Sequence, residues 1–307
     1  MDTLTESAAS TPVSERFPDG WGAFSKIGLL RDVLLGDPSY FSWHPTSAIS
    51  RATLTNLGTR GVVYDSELAK RQHEAMVQVY REAGVRVHFA RGDKDAPYSV
   101  FTRDSSVMTP WGPVIMSLQP PVRRRDHSTA VDFYHAAGIP IWKWITAGHM
   151  EGGDVVIIEP GVVMIGYCEE RSQQSGAEQL AGWFREEGWE ALVVANPAHF
   201  VHMDALVLPA APKTVVLCRD ALEGYVTDFL KAHGYDFIDV PYKDCVRLGC
   251  NVMPLGNERI LSLESNDTLN KKLGALGLSV SAVDMSMYAL GGGGVHCLSM
   301  EIRREAE

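Results

Sequence analysis

The sequence lacks long apolar runs, paired cysteine motifs and a surplus of basic residues, and each absence argues against a class of protein. No apolar stretch reaches the roughly 20 residues that a membrane-spanning helix needs. The five cysteines are odd in number and show no CxxC spacing, so we expect a reduced, cytoplasmic protein without a disulfide framework or a structural zinc site. The net charge of −10 argues against binding to nucleic acid or to an anionic membrane.

The N-terminus also lacks a signal for export. Residues 1–20 are polar, without the apolar segment of a signal peptide, and predict a flexible arm. Residues 21–307 have an ordinary globular composition, and we expect them to form a single domain with a sizeable core.

A repeated unit organises the chain after residue 100. Two short apolar strands joined by a turn are followed by a helix and a third strand, with helices predicted over 128–137, 175–187, 221–233 and 267–276, and an earlier one over 66–83. The units open at Asp104, Asp154, Asp204, Asn251 and Cys297, at intervals of 50, 50, 47 and 46 residues. Such a period predicts a propeller or array rather than a doubly wound sheet. In a closed ring these openings would converge on a central pocket.

The repeat decides how the stretch 289–304, ALGGGGVHCLSMEIRR, is interpreted. Glycine lets the backbone turn where a Cβ would clash, and it lets a substrate approach closely. A cysteine at the exit of a glycine run is either a candidate nucleophile or part of a core strand. On this stretch alone the two interpretations weigh equally, but the phase that Cys297 shares with four earlier openings favours the nucleophile.

The side chains that share this phase suit one kind of ligand. They are a thiol, an imidazole and several carboxylates, namely Cys297, His202, Asp104, Glu151, Asp154 and Asp204. Carboxylates pair bidentately with a guanidinium, so Asp154 is counted with Asp104 and Asp204 as a candidate substrate contact. A thiolate could attack the guanidinium carbon, and the histidine could protonate the leaving amine and then deprotonate water. The glycines before Cys297 would leave room for the flat cation.

Two other uses of these residues compete with this interpretation. His202 and Asp204 could supply two metal ligands, but no second histidine shares the phase, so metal catalysis ranks second. A serine–histidine–aspartate site has no GxSxG elbow to support it. Taken singly, each residue is more often an ordinary turn or surface residue, and only the joint phase favours a site.

Four motifs, in this order, resemble a known superfamily. They are Phe101-Thr102-Arg103-Asp104, Glu151-Gly152-Gly153-Asp154, His202-Met203-Asp204 and Gly293-Gly294-Val295-His296-Cys297. From about residue 27 to the C-terminus, the chain resembles the guanidino-group-modifying enzymes of the pentein fold: arginine deiminases, dimethylarginine dimethylaminohydrolases and amidinotransferases. The resemblance implies a five-bladed α/β propeller of ββαβ-like modules around a central pocket, a single catalytic domain over 21–307, and chemistry with no metal or organic cofactor.

The resemblance also implies catalytic roles. Cys297 is similar to the nucleophile that forms a covalent thiouronium adduct in these enzymes. His202 is similar to their general acid/base, and Glu151 to the partner of that histidine at the guanidinium.

Substrate-binding roles follow from the same resemblance. Asp104 and Asp204 are similar to the carboxylates that hold the guanidinium nitrogens. Arg171 stands where the superfamily places an arginine on the α-carboxylate of the substrate, and Arg123 is similar to a second such arginine.

Some details separate the members of the superfamily. Dimethylargininases carry a lysine two residues after the histidine, whereas this chain has Asp204, and aspartates on both sides leave little room for N-methyl groups. The segment from Cys297 to Met300 resembles the ending of arginine deiminases, although the chain is too short for their helical insert. His296 is instead similar to amidinotransferases and agmatine deiminases.

We therefore predict a cysteine-dependent hydrolase of the guanidino C–N bond of arginine or a close relative, giving a citrulline-type product plus ammonia or an amine. The alternative is an amidinotransferase that passes the amidino group to an amine acceptor, and a non-catalytic guanidino-binding protein is the third candidate. The expected partner is a small guanidino molecule, and a homo-oligomer is compatible with the sequence.

Overall fold

The computed structural model describes residues 20–305 of the chain. Its strands are β1 (Leu30–Gly36), β2 (Arg86–Ala90), β3 (Ser106–Thr109), β4 (Gly112–Ile115), β5 (Lys143–Trp144), β6 (Val155–Glu159), β7 (Val162–Tyr167), β8 (Glu190–Ala195), β9 (Val207–Ala211), β10 (Thr214–Leu217), β11 (Asp236–Asp239), β12 (Met253–Gly256), β13 (Arg259–Leu263), β14 (Ser279–Val283) and β15 (Ser299–Arg304). Its helices are α1 (Ala48–Thr59), α2 (Ser66–Glu82), α3 (Thr102–Ser105), α4 (Asp126–Ala136), α5 (Gln174–Glu186), α6 (Gly224–Ala232), α7 (Tyr242–Cys245), α8 (Asp267–Ala275) and α9 (Ser286–Gly291).

The strands form five three-stranded sheets that share one plan. In each sheet the middle strand pairs antiparallel with an inner strand and parallel with an outer one, as β7 does with β6 and β8. A parallel pair needs a crossover connection, and a helix lies in each crossover: α2, α4, α5, α6 and α8. The inner strands are buried along almost their whole length, whereas outer strands such as β8 are partly exposed.

The first blade is completed by the last strand of the chain. Strand β15 pairs antiparallel with β1, placing Met300 opposite Leu34, and β1 pairs in parallel with β2. Neighbouring blades contact each other through their inner strands: β15 with β3, β6 with β9, and β9 with β12, which in turn contacts β1. The prediction of a five-bladed α/β propeller of ββαβ-like modules is therefore confirmed.

Helix α2 shows how the sequence pattern becomes a packed blade. The Asp65 carboxylate caps its first turn by accepting from two backbone N–H groups, and Gly84, with a φ of +75°, ends it. Met76 and Tyr80 lie on one face, and both are fully buried. Truncating a buried methionine of this kind to alanine costs about 2–5 kcal/mol, so this face anchors the helix on its sheet.

The residues at the predicted blade openings lie just before the inner strands rather than in them. Asp104 lies in the single turn of α3, and Asp154 and Asp204 lie in short helical turns over 152–154 and 203–205. The predicted hairpin starts are therefore wrong by one to three residues, since the strands begin at Ser106, Val155 and Val207. Side chains in turns can face the axis of the ring while the strands behind them fill the core.

Several elements have no counterpart in the predictions: helices α1 and α9, strand β5, and the single-turn helices α3 and α7. Helix α1 buries only Leu57 among its residues, so it has no apolar period, and it begins at a capping box between Ser47 and Ser50. Helix α9 runs into the glycine run, where it ends at Gly291 and is capped by Gly292 in a left-handed conformation. Strand β5 has two residues, too few to show an alternating pattern.

None of the helices in residues 20–305 combines the length and the apolar composition that crossing a bilayer requires. The flexible arm predicted over residues 1–20 lies outside the described residues, except for Gly20.

Candidate active site

The turns that precede the inner strands meet around a cavity of about 180 Å³. Its wall includes six of the eight predicted site residues: Asp104, Arg123, Arg171, His202, Asp204 and Cys297. Glu151 lies behind this wall in contact with three of them. Asp154 is fully buried and is not part of the wall.

Cys297 is a buried thiol between acidic groups. Its Sγ lies 3.7 Å from Oδ2 of Asp204, and it accepts a hydrogen bond from Nδ2 of Asn251 at 3.2 Å. Burial raises the pKa of the Cys297 thiol well above its usual value, and the negative charges of Asp204 and Asp104 raise it further. The sulfur is therefore protonated at neutral pH while the cavity holds no cation.

His202 is held as a cation by two carboxylates. Its Nε2 lies 3.0 Å from Oε2 of Glu151, and its Nδ1 lies 3.5 Å from Oδ1 of Asp104. Burial lowers the pKa of His202, but the charge of Asp104 and the hydrogen bond to Glu151 outweigh burial and raise it to about 9. At neutral pH the ring is an imidazolium, so both of its nitrogens are donors.

Glu151 is the anionic anchor of the site. Its carboxylate accepts two hydrogen bonds from Arg171, one of them from Nε at 2.8 Å, together with the contacts to His202 and, at 3.4 Å, to Nη1 of Arg123. Burial raises the pKa of Glu151, but the positive charge of Arg171 and the hydrogen bond to His202 reverse this and hold it below its usual range. Both oxygens of this carboxylate are thus bound by protein groups.

Arg123 is bound to protein carboxylates. Its Nη1 donates to Oδ2 of Asp104 at 2.7 Å, and its Nε donates to Oδ2 of Asp126 at 2.8 Å. Asp126 was not among the predicted residues, although it stands three positions after Arg123, and burial raises its pKa to about 7. Arg123 and Arg171 both line the cavity, but their strongest contacts are with the carboxylates that surround the cysteine and the histidine.

Asp204 is oriented by His296. Nδ1 of His296 lies 2.7 Å from Oδ2 of Asp204, and the histidine is almost fully buried. Burial lowers the pKa of His296 to about 4, so the neutral ring carries its proton on Nδ1 and donates it to the carboxylate. Burial raises the pKa of Asp204, but the hydrogen bond from His296 offsets burial and lowers it, which keeps Asp204 ionised.

Two carboxylate oxygens of the cavity wall have no hydrogen-bond partner among residues 20–305. They are Oδ1 of Asp204 and Oδ1 of Asp104, and the second of these faces Nδ1 of His202 at 3.5 Å in an ion pair. A buried acceptor without a hydrogen bond costs free energy, and the other oxygen of Asp204 lies 3.7 Å from the Cys297 sulfur. The wall therefore offers two oriented acceptors to a ligand that carries several N–H donors.

Asp154 stabilises the turn that carries His202 and Asp204. Its Oδ1 accepts from the backbone N–H of Met203 and from Nδ2 of Asn196, each at 2.9 Å, and burial raises its pKa to about 6. The preceding Gly153 lies so close to His202 that an added Cβ would be 2.6 Å from Nδ1. The predicted contact between Asp154 and substrate has no counterpart on the cavity wall, and the motif instead packs against the histidine.

The glycines before Cys297 have a different use from the one predicted. A Cβ on Gly293 would lie 2.4 Å from the ring of Phe101, and one on Gly294 would lie 2.5 Å from Oδ1 of Asn251. These two glycines leave room for protein side chains. Gly291 and Gly292 of the run line the cavity. A Cβ on Gly291 would lie 2.8 Å from the ring of Phe41, whereas one on Gly292 would have no neighbour within 4 Å.

Helix α1 forms the outer part of the wall. Thr46 and Ser47, just before the helix, line the cavity with Ile49, and Oγ1 of Thr46 lies 3.4 Å from Nη1 of Arg171. The Glu170 carboxylate accepts from the first backbone N–H of the helix, that of Ala48, at 2.7 Å. The loop that carries Arg171 and the start of α1 are therefore joined at the mouth.

Three residues have the ligand atoms that a metal ion would need. Oxygens of Asp104 and Glu151 and a nitrogen of His202 lie within 4.8 Å of one another. The metal pair considered from the sequence was instead His202 with Asp204, and Asp204 is not in this group. The two carboxylates bind Arg123 and Arg171, so a metal ion would have to displace guanidinium groups as well as the imidazolium proton.

Five ββαβ blades with a thiol, an imidazole and paired carboxylates at their meeting point define a guanidino-group-modifying enzyme of the pentein fold. A family model described as N,N dimethylarginine dimethylhydrolase, eukaryotic, matches residues 37–304, and the chain belongs to this family.

Relatives and a solved structure agree with this assignment. The protein YkgA of Bacillus subtilis (strain 168) is 29% identical over 238 residues, which are 77% of this chain and 80% of YkgA. The arginine deiminase of Rhodococcus erythropolis is 26% identical over 249 residues, 68% of this chain and 60% of the deiminase. The fold is similar to that of the N-terminal domain of ArgZ, a cyanobacterial arginine dihydrolase solved with bound substrate, with a TM-score of 0.77 and 18% identity over 89% of this chain and 98% of that one.

Proposed function

We propose that the protein is a cysteine-dependent hydrolase that cleaves the guanidino C–N bond of arginine or a close relative. The observation that carries the proposal is the pair of oxygens without a hydrogen bond, Oδ1 of Asp104 and Oδ1 of Asp204, on the two carboxylates whose charges act on the Cys297 thiol. A guanidinium has N–H donors on both sides of one electrophilic carbon, so it fills both acceptors while presenting that carbon to the thiol.

Substrate charge activates the nucleophile. In the free protein the neighbouring carboxylates and burial keep Cys297 protonated. A guanidinium bound between Asp104 and Asp204 neutralises that field, so the pKa of the thiol falls and its proton passes to solvent. The thiolate then attacks the central carbon and forms a C–S bond.

His202 supplies and removes the other protons. As an imidazolium it donates a proton to the leaving nitrogen, the C–N bond breaks, ammonia or an amine departs, and a thiouronium adduct remains on Cys297. The neutral imidazole, oriented by Glu151, then accepts a proton from water as the water oxygen attacks the same carbon. The C–S bond breaks, the thiolate is released, and the product is a citrulline-type ureido compound.

The geometry favours an unsubstituted guanidinium. Asp204 lies where dimethylargininases carry a lysine, and its free Oδ1 requires an N–H donor rather than a methyl group. A methyl group on the nitrogen facing Asp204 would leave that oxygen unpaired and buried. This supports arginine over dimethylarginine, although the family is named for the methylated compound, and it agrees with the arginine deiminase and arginine dihydrolase activities of the relatives.

The second candidate is an amidinotransferase. It is favoured by His296, which resembles the residue before the cysteine in amidinotransferases and which orients Asp204 here. The chemistry differs only in the final attack, where an amine replaces water and receives the amidino group.

Product analysis distinguishes these candidates. The purified protein is incubated with arginine, asymmetric dimethylarginine and agmatine, each without and with glycine, while ureido product, ammonia and amine are measured. Ureido product and ammonia from arginine without an acceptor are expected. Product that forms only with glycine identifies the transferase, and no turnover under any condition indicates the non-catalytic candidate.

Two variants and a chelator test the mechanism. Cys297→Ala should abolish turnover, whereas Cys218→Ala, at a buried thiol in the core of the fourth blade, should retain it. Full turnover by Cys297→Ala refutes the covalent mechanism, and loss of activity on treatment with EDTA would support the metal alternative. Three further points stay predictions: a cytoplasmic location, a single catalytic domain and a homo-oligomer. The five free thiols support the first, and light scattering would test the last.

A further inference from the structure

We infer that Asn251 positions the sulfur of Cys297 and donates a hydrogen bond to it through the reaction, a role that rests on the function proposed above. Asn251 is fully buried and lies just before strand β12, one blade away from the turn that carries Cys297. Its Nδ2 lies 3.2 Å from Sγ.

The orientation of the Asn251 amide follows from its second contact. Oδ1 of Asn251 accepts the backbone N–H of His296 at 2.9 Å. The amide oxygen cannot turn toward the sulfur without leaving that N–H unpaired in the interior, which is costly. The side chain therefore presents its N–H group, and not its oxygen, to Sγ.

Gly294 makes this arrangement possible. A Cβ at position 294 would lie 2.5 Å from Oδ1 of Asn251, closer than nonbonded atoms approach each other. Glycine at this position lets the amide enter the loop that delivers Cys297 and reach His296. Part of the glycine run thus serves an internal contact between two blades.

The charged groups around the sulfur explain why a neutral donor matters. Asp204 and Asp104 disfavour a thiolate, and the Arg103 cation, buried behind the site, is engaged with Glu301. His202 gives its proton to the leaving group. Asn251 is the side-chain N–H donor within hydrogen-bond distance of Sγ among residues 20–305. It would favour the thiolate both before attack and when the C–S bond breaks.

Two substitutions separate donation to sulfur from support of the loop. Asn251→Asp keeps an oxygen that can accept from His296 but loses the donor, whereas Asn251→Ala loses both. A donor to a charged group shifts a thiol pKa by about one to two units. The pH midpoint of Cys297 alkylation should therefore move upward by about that much in Asn251→Ala and by more in Asn251→Asp, whose carboxylate also places a negative charge beside the sulfur. In both variants kcat should fall about tenfold or more and KM should change less.

The readout does not depend on turnover. Alkylation of Cys297 by iodoacetamide is followed by peptide mass spectrometry from pH 6 to 11 in wild type, in both Asn251 variants and in Gly294→Ala. The added Cβ of Gly294→Ala should displace the Asn251 amide and shift the alkylation midpoint in the same direction. Asn270→Asp is the control. It alters a half-buried asparagine on α8 whose Nδ2 donates to the backbone oxygen of Leu263, and its alkylation midpoint should match that of wild type. If an Asn251 variant does not fold, Asn251→Ser, whose side chain is too short to reach Sγ, takes its place.

The outcomes are distinct. An unchanged alkylation midpoint in Asn251→Ala overturns the inference, because loss of a donor to the sulfur must raise that midpoint. An upward shift without any guanidino turnover in wild type supports the sulfur contact and rejects the proposed function instead.

Discussion

Replacing Asp204 by asparagine should make Cys297 more acidic and yet make the enzyme slower. The Cys297 sulfur lies 3.7 Å from Oδ2 of Asp204. Two unit charges at this separation repel by about 4 kcal/mol at an effective dielectric constant of about 20, or about three pKa units as an upper limit. Removing the charge should therefore lower the pH midpoint of Cys297 alkylation by at least about one unit.

The same substitution should weaken catalysis. The asparagine oxygen can still accept from Nδ1 of His296, which turns the amide N–H group toward the position of the guanidinium. A charged hydrogen bond of about 1.5–3 kcal/mol is lost, and donor then faces donor. We expect kcat/KM for arginine to fall about tenfold to a hundredfold or more.

Alkylation and turnover are measured on the same preparations, with Asp132→Asn as control. Asp132 pairs with Arg91 on the exposed surface and should matter little to either quantity. If Asp204→Asn raises the alkylation midpoint, or leaves kcat/KM unchanged, the assignment of Asp204 as both a substrate carboxylate and a restraint on the thiol is wrong.

Three further substitutions test the stability of the site by urea unfolding. The folded-state pKa of His202, about 9, exceeds its ordinary value, so the stability that its charge contributes is complete below about pH 6.5 and is lost as pH rises through 9. Across that window the unfolding free energy of wild type should fall by on the order of 3 kcal/mol more than that of His202→Gln. Parallel plots of unfolding free energy against pH for the two proteins would contradict this. Gly152→Ala should cost about 1–3 kcal/mol or more, because its Cβ would lie 2.1 Å from the backbone oxygen of Arg103, whereas Gly182→Ala, with open space around it, should not destabilise. Arg171→Gln should cost about 3 kcal/mol by leaving buried Glu151 short of a cation, while Arg185→Gln, at an exposed ion pair, should cost less than about 1 kcal/mol; equal costs would show that Glu151 does not need Arg171.

The ring could be predicted because its blades repeat in sequence. Equal spacing of Asp104, Asp154 and Asp204 reflects one strand–strand–helix–strand unit per blade, and each aspartate does lie in the turn before an inner strand. Spacing cannot tell which way a carboxylate points. Asp154 shares the phase of the other two, yet its carboxylate turns to the backbone of Met203, because the turn that carries His202 needs an acceptor there.

The contacts of the arginines could not be predicted, because they join different elements whose relative placement depends on the folded structure. Arg171 lies 20 residues from Glu151, and Arg123 reaches Asp104 from another element. The motifs imply two arginines for a substrate carboxylate, but only the folded arrangement shows that both are already paired. The sequence held only a weak signal for a role of Asn251, because Asn251 is one of the five nearly equally spaced positions that open the blades.

The pairing of β15 with β1 links catalysis to local opening of the fold. Cys297 stands two residues before β15, and that strand is held on the first blade by residues some 270 positions away in sequence. Separation of β15 from β1 would withdraw the nucleophile from Asp204 and Asn251. Hydrogen exchange at β15 should therefore track the fraction of molecules in which Cys297 is in place to react.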